Sequence, residues 1–250
     1  MKKKIVSIAL VVAMVAVIAV GSLAYFTDTD KAVNTFTVGN VKIDLHEANK
    51  DTPAKVDKEY HEWLEDQVLM PGDNQTNTVA KRVYVENTGD NATYVRVHIA
   101  IPAVLDNAQP DFDASKNLLH FNADASSYAE GKWNWGTKEV AGRTSFYGDN
   151  DAWNFYTATV DGIDYNVYVV TYETAVAADE VTADAMHQVY LYKDVTQADI
   201  EKADKVLNGN WNILVFAEGG QVEGFNDAFT ALNTQFGVPG STGYVAPWNK

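Results

Sequence analysis

Beyond residue 34 the chain alternates apolar and polar positions with the two-residue period of strands. Phe36 and Val38 share one phase, Gly39-Asn40 interrupts it, and Val41, Ile43 and Leu45 resume on the other, which predicts a strand broken by a bulge or turn. The stretch from His46 to Gln67 is polar and charged, with Tyr60, Trp63 and Leu64 as its large apolar residues, and reads as an exposed connection. Pro71-Gly72-Asp73 has the chemistry of a tight turn, because proline fixes φ and glycine tolerates a positive one. Val79, Lys81, Val83 and Val85 then share a face, the turn formers Asn87 to Asn91 follow, and Thr93, Val95, Val97, Ile99 and Ile101 share a face again. That pattern predicts an antiparallel hairpin over 79–101.

From Pro102 to Trp153 the chain is rich in Asp, Asn, Ser, Gly and aromatic residues and reads as a long insertion with local strands. Within it Trp133 and Trp135 are two apart and so face one side of a strand. Exposed, the pair suits a sugar ring or a partner; buried, it caps a core, and burial is the favoured reading. Val160-Asp161-Gly162-Ile163 predicts a second hairpin with a two-residue turn, inside a segment running from Phe155 to Tyr172. Its return strand is partly apolar on both faces, which suits a central position. A strand at 189–192, a short helix at 198–207 and a strand at 211–217 follow, with Gly219-Gly220 as a break. Phe225, Phe229, Leu232 and Phe236 fall at helical spacing, with Asn226 as candidate N-cap and Gly237 and Pro239 as stops, so an amphipathic helix is expected over 225–236. The tail to Lys250 reads as loop.

Strands recurring with turn signals and without β-α-β alternation predict an all-β fold, a jelly-roll-like antiparallel β-sandwich of roughly eight to ten strands with short helices in connections. Ahead of it, Lys2, Lys3 and Lys4 precede the apolar run from Ile5 to Val20, and Ser22 and Ala24 supply the small residues of a cleavage site. As a helix that run reaches about 24 Å, short of the roughly 30 Å hydrocarbon core. The expected organisation is therefore a secretory signal peptide at 1–24, cleaved to leave Tyr25 first, and one domain over 25–250. An uncleaved signal is the alternative and the one route to a membrane.

Composition narrows the functional classes. The full chain has a formal charge of -15, and the signal segment holds three basic and no acidic residues, so the mature form stands at -15 - 3 = -18. Such acidity argues against nucleic acid and anionic lipid as partners. With no cysteine, disulfides, thiol nucleophiles and zinc–thiolate sites are excluded. His46-Glu47 and His61-Glu62, with Glu65 beyond, lack the second histidine of a His-Glu-x-x-His zinc motif. The acidic runs Asp28 to Asp30 and Asp149-Asn150-Asp151 carry calcium-type ligands without EF-hand spacing, and solvated loops are their favoured reading. No cofactor, metal ligand or catalytic residue is assigned, and the chain is not read as an enzyme.

Ala24-Tyr-Phe-Thr-Asp28, Phe36-Thr-Val-Gly39 with Val41, Ile43 and Leu45, Met70-Pro-Gly-Asp73, and Glu86-Asn-Thr-Gly89 with Tyr94-Val-Arg-Val97 together resemble the TasA and camelysin family. Ile213 to Ala217, Gln221, Gly224-Phe225 and the amphipathic helix resemble the closing part of many proteins of that secretion route. The resemblance implies a secreted protein of mostly Gram-positive origin, processed by a SipW-type signal peptidase, and a matrix protein that assembles into biofilm fibres with copies of itself or with other matrix proteins. The camelysin branch implies a metallopeptidase as a further alternative. A sandwich leaves edge strands that an extended segment of a neighbour can satisfy, and Tyr25 to Val38, with Tyr25, Phe26, Val33, Phe36 and Val38 as apolar anchors, is the candidate donor. An ordinary first strand paired within its own domain is the equal alternative. A monomeric secreted binding or adhesion module using the insertion at 102–153 is the rival function.

Overall fold

The computed structural model describes residues 41–48, 68–73, 76–106, 117–121, 133–136 and 154–249. The signal segment, the residues Tyr25 to Val38, and both acidic runs lie outside them, as do His61, Glu62 and Glu65. Ten strands, two α-helices and a 3-10 turn occur among the described residues: β1 (Ile43–Ala48), β2 (Pro71–Gly72), β3 (Val79–Asn87), β4 (Thr93–Pro102), β5 (Leu119–Phe121), β6 (Trp133–Asn134), β7 (Phe155–Val160), β8 (Ile163–Tyr172), β9 (Met186–Tyr192), α1 (Gln197–Leu207), β10 (Leu214–Gln221), α2 (Ala228–Phe236) and the turn Pro247–Asn249. They build an all-β sandwich. One sheet has the order β1-β3-β9-β2 with β5 also on β9, and the other has β10-β4-β8-β6 with β7 also on β8. All pairs are antiparallel except β2 with β9.

One core lies between the sheets. Val83 and Val85 of β3 and Met186, Val189 and Leu191 of β9 meet Val95, Val97, Ile99 and Ile101 of β4. The alternation of β3 and β4 is what aims these residues inward. Both predicted tryptophans belong to this core: Trp133 packs on Tyr172 at 4.8 Å between ring centroids, and Trp135 on Phe121 at 5.6 Å and Tyr168 at 5.9 Å. The described parts of the 102–153 stretch thus join the sandwich as β5 and β6. The central position expected for β8 is observed, since it is flanked by β4 on one side and by β7 and β6 on the other. Its hairpin with β7 turns at Asp161 (φ 52°) and Gly162 (φ 81°), the two positive φ values that a two-residue turn of this kind demands.

The hairpin expected over 79–101 does not exist. Both strands form, but β3 pairs with β1 and β9 while β4 pairs with β10 and β8, so Thr88 to Ala92 carries the chain from one sheet to the other. The reason lies in the segment around Val176 to Thr182. Thr93 and Val176 exchange backbone hydrogen bonds of 2.9 and 2.8 Å, Asn87 N donates to Glu180 O at 2.9 Å, and Asp179 N donates to Asn87 O at 2.9 Å. The Asn87 amide also donates to Asn91 O and Val176 O, and its oxygen accepts from Gly89 N. The ends of both strands are therefore satisfied by a third segment rather than by one another.

Several boundaries also differ from the expected ones. β1 extends three residues past Leu45, into what reads as an exposed connection, because Glu47 there reaches Lys81 at 3.0 Å. Gly72 has no positive φ; it is a close-approach site, where a Cβ would sit 2.1 Å from Thr76 O, and the turn itself is closed by Asp73 and Thr76. β9 begins at Met186, ahead of the expected Val189. β10 is shifted from the expected 211–217 and runs through Gly219-Gly220 instead of breaking there, with Gly219 opposite Val95 and Gly220 opposite Tyr94. A Cβ on Gly219 would lie 2.8 Å from Ile43 Cγ2, and one on Gly220 would lie 3.1 Å from Leu232. These glycines admit neighbours rather than end a strand.

α1 starts one residue before the expected Ala198, closed by a Thr196–Asp199 capping box, and places Ala203 and Leu207 in the core. α2 starts at Ala228 rather than at 225, and Asp227, not Asn226, caps it by accepting from Thr230 N. It lies along β10 and β4, where Ala228, Ala231 and Leu232 pack on Tyr94 with Phe225 and Phe236 beside them. The tail beyond Gly237 is not a free loop: Ala246 is buried and Tyr244 and Trp248 pack against the core cluster. Among the described residues no helix is long and apolar enough to cross a membrane.

Candidate functional site

The outer face of the β4–β8–β10 sheet carries a buried polar cluster that the sequence reading did not single out. β4 alternates, so Arg96 and His98 point away from the core on the same side, and the antiparallel register sets Glu218 of β10 opposite Arg96. Arg96, His98 and Glu218 are 1 %, 0 % and 4 % exposed. Arg96 Nε donates to Glu218 Oε2 at 2.5 Å, and its terminal nitrogens donate to Asn233 Oδ1 at 3.0 Å and to Gly237 O at 3.1 Å. One guanidinium thus joins both strands to the C-terminal end of α2, where the helix carbonyls favour a cation.

His98 Nε2 lies 3.1 Å from the same Glu218 oxygen, and its Nδ1 lies 3.2 Å from the hydroxyl of Tyr156 on β7. Trp248 Nε1 donates to that hydroxyl at 2.9 Å. Tyr244 stacks on His98 with ring centroids 6.4 Å apart, and Phe216 and Trp248 meet edge to face at 6.1 Å. Burial alone would raise the Glu218 carboxyl, but the hydrogen bond from His98 and the Arg96 charge outweigh it and hold the group below its ordinary range. Burial pushes the Tyr156 hydroxyl up, and it pushes that of Tyr244, which also faces the Glu218 charge, up to about 12. Arg96, His98, Glu218 and Tyr156 are buried beneath the half-buried rings of Phe216, Tyr244 and Trp248, so the cluster as built fastens elements together.

β10 offers a second feature. It pairs with β4 alone among the described residues, and its first four residues, Leu214 to Ala217, are apolar and half-buried. Val215 and Ala217 face the core while Phe216 and Glu218 face the outer cluster, so its backbone polar groups point sideways along an apolar edge.

Of the residues tied to metal chemistry, His46 and Glu47 diverge. His46 stacks on Tyr84 and lies 3.1 Å from Glu86, whereas Glu47 pairs with Lys81. The described residues contain no grouping of three His, Asp or Glu placed to hold a metal ion. The cleavage-site residues Ser22, Ala24 and Tyr25 and the donor anchors Phe26, Val33, Phe36 and Val38 lie outside the described residues. A sequence signal for the buried cluster did exist: Arg96 and His98 stand two apart in an otherwise apolar strand, which demands a polar partner for both.

Compared with known proteins, the chain matches no family model, no curated protein and no solved structure.

Proposed function

We infer that this is an exported structural protein of the cell surface or biofilm matrix, of the TasA and camelysin type, which assembles by strand addition. The signal-like N-terminus, the acidic mature charge and the order of the resembling motifs support export and kind. The observation that carries assembly is the one-sided pairing of β10 among the described residues, whose apolar edge is long enough to receive an extended segment. The donor in this reading is the stretch from Tyr25 to Val38 of a neighbouring copy. Head-to-tail addition of this type propagates into filaments. The adhesion-module reading draws no support from Trp133 and Trp135, because both rings are spent on the core.

Electron microscopy of the secreted mature protein tests the reading. Filaments are expected from the chain beginning at Tyr25, and folded monomers without filaments from a variant lacking Tyr25 to Asn34. Monodisperse particles from the complete mature chain across salt, pH and concentration would sink the assembly claim. Filaments unchanged by the deletion would remove the donor segment from it.

A further inference from the structure

The β7–β8 hairpin carries a row of polar groups on the side of its sheet that turns toward the core. Directly opposed residues of a ladder share a face, so Phe155, Thr157 and Thr159 of β7 stand with Tyr168, Asn166 and Asp164 of β8. The row begins inside the sandwich, where Tyr168 packs on Phe121 and Trp135, and runs out to solvent at Thr157, Thr159 and Asp164. Over that outer part lies a cavity of about 410 Å³, lined in part by Ala103, Thr157, Thr159, Asp164 and Asn166. Its volume falls in the range of small-molecule sites, roughly 300–1,000 Å³.

What the row can bind follows from the bonds its groups already make. The Asn166 amide nitrogen donates to Asp106 O at 3.0 Å and to Asp106 Oδ2 at 3.2 Å, two acceptors that fix which way the amide is turned. Its oxygen, on the other branch, accepts no hydrogen bond among the described residues, although Asn166 is only 6 % exposed and lines the cavity. An amide oxygen so placed costs free energy until a donor reaches it. Thr159 Oγ1 donates to Asp164 Oδ1 at 2.7 Å and steadies the carboxylate, whose Oδ2 accepts nothing among the described residues. The exposed Thr157 hydroxyl has no partner among them either. Ala103 N donates to Asp164 O at 2.8 Å, which ties the hairpin to the end of β4. The open positions are therefore mostly acceptors, and they sit on paired strands, already oriented.

An acceptor-rich row calls for a ligand that donates hydrogen bonds and carries no negative charge. Asp164 brings the one carboxylate among the residues lining the cavity, fewer than a calcium site gathers. A saccharide supplies an array of hydroxyl donors and a C–H face for an aromatic ring. Phe155, 39 % exposed, offers such a ring on the same row, backed by Tyr168 at 6.2 Å. Alternate strand residues stand about 6.8 Å apart, so Phe155 to Thr159 spans about 14 Å, a footprint for linked sugar units rather than for a lone ion. We propose that this face of the β7–β8 hairpin binds a neutral saccharide, whose hydroxyls donate to Asp164 and Asn166 and bond with Thr157 while Phe155 lies against a sugar ring. β7 and β10 lie on opposite margins of their sheet, so the site does not depend on strand addition at β10.

An array of neutral and acidic glycans probed with the full mature chain tests it, followed by calorimetry with each neutral oligosaccharide retained and with calcium chloride. Binding of at least one neutral oligosaccharide is expected. Its affinity should fall on the order of tenfold or more in Asp164→Ala and several-fold in Thr157→Val, the factors that one charged and one neutral hydrogen bond are worth. The Tm of both variants should stay as in the wild type, because both side chains are exposed. No neutral glycan bound, a preference for acidic glycans, an affinity indifferent to both substitutions, or binding of calcium ion alone would each overturn the proposal.

Discussion

The Arg96–Glu218 pair allows a quantitative test of how the outer cluster contributes to stability. Both groups are almost fully buried, at 1 % and 4 % exposure, so each depends on the other for the solvation it lost. Arg96→Met leaves the carboxylate with His98 and takes the donor away from Asn233 Oδ1 and Gly237 O, a loss expected to cost about 3–5 kcal/mol. Glu218→Gln keeps an acceptor for Arg96 and His98 but strips the guanidinium of its counter-charge. Because Arg96 retains Asn233 and Gly237, the cost should fall at the low end, about 3 kcal/mol. The double variant buries no unpaired charge, its Gln still accepts from His98, and its Met replaces the cation–π contact that the Arg96 guanidinium makes 5.7 Å from the Phe236 ring centroid with a thioether–aromatic one. It should therefore be destabilised by about 1–3 kcal/mol less than the sum of the two single changes. Urea unfolding of the four proteins, compared at a common m value, measures this coupling. Additivity within about 0.5 kcal/mol would refute the claim that the two charges compensate one another in a desolvated site.

Because the folded protein holds Glu218 below its ordinary range, that group stabilises the fold above the ordinary carboxyl pKa and the contribution is lost as pH falls through the depressed one. Wild type should thus lose more stability than Glu218→Gln between about pH 5 and about pH 2; parallel curves in denaturant titrations would contradict the assignment. At Gly219 the geometry predicts a steric cost without any backbone strain. Gly219→Val puts a Cβ within 2.8 Å of Ile43 Cγ2 and should cost about 1–3 kcal/mol, read as a lowered Tm, whereas an unchanged Tm would mean that β1 does not approach β10 as described.

What the sequence made legible was local. Asp161-Gly162 announces its hairpin because two adjacent positive φ values leave few residue choices, and alternation located β3, β4 and β8 closely. Strand pairing was not local. Asn87 to Asn91 contains the residues of a reverse turn, yet its bonds run to Val176 and Glu180, about ninety positions on, and no period within 79–101 encodes that partner. Gly219-Gly220 shows the same ambiguity in one dipeptide, since glycine serves equally to end a strand and to admit Ile43 and Leu232 against one. Asn226 and Asp227 are both good N-caps, and the choice rests on which reaches Thr230 N. The outer cluster was half legible: alternation puts Arg96 and His98 on one face, but Glu218 lies more than a hundred residues away and Trp248 arrives on a segment without periodicity.

β10 serves the buried cluster and the proposed assembly edge with different groups. Its side chains are committed inward through Val215 and Ala217 and outward through Phe216 and Glu218, the latter two meeting Trp248, Arg96 and His98. The edge that β4 does not occupy, unpaired among the described residues, is a row of backbone groups in the plane between those faces. An incoming strand would bond to that row and leave the contacts of Glu218 with Arg96 and His98 in place. The half-buried character of Leu214 to Ala217 favours such an addition, because a partner strand would cover apolar surface that β4 alone leaves partly wet. Glu218 limits that apolar run at its C-terminal side, and the alternation of β10 sets its carboxylate on the outer face, where Arg96 pairs with it.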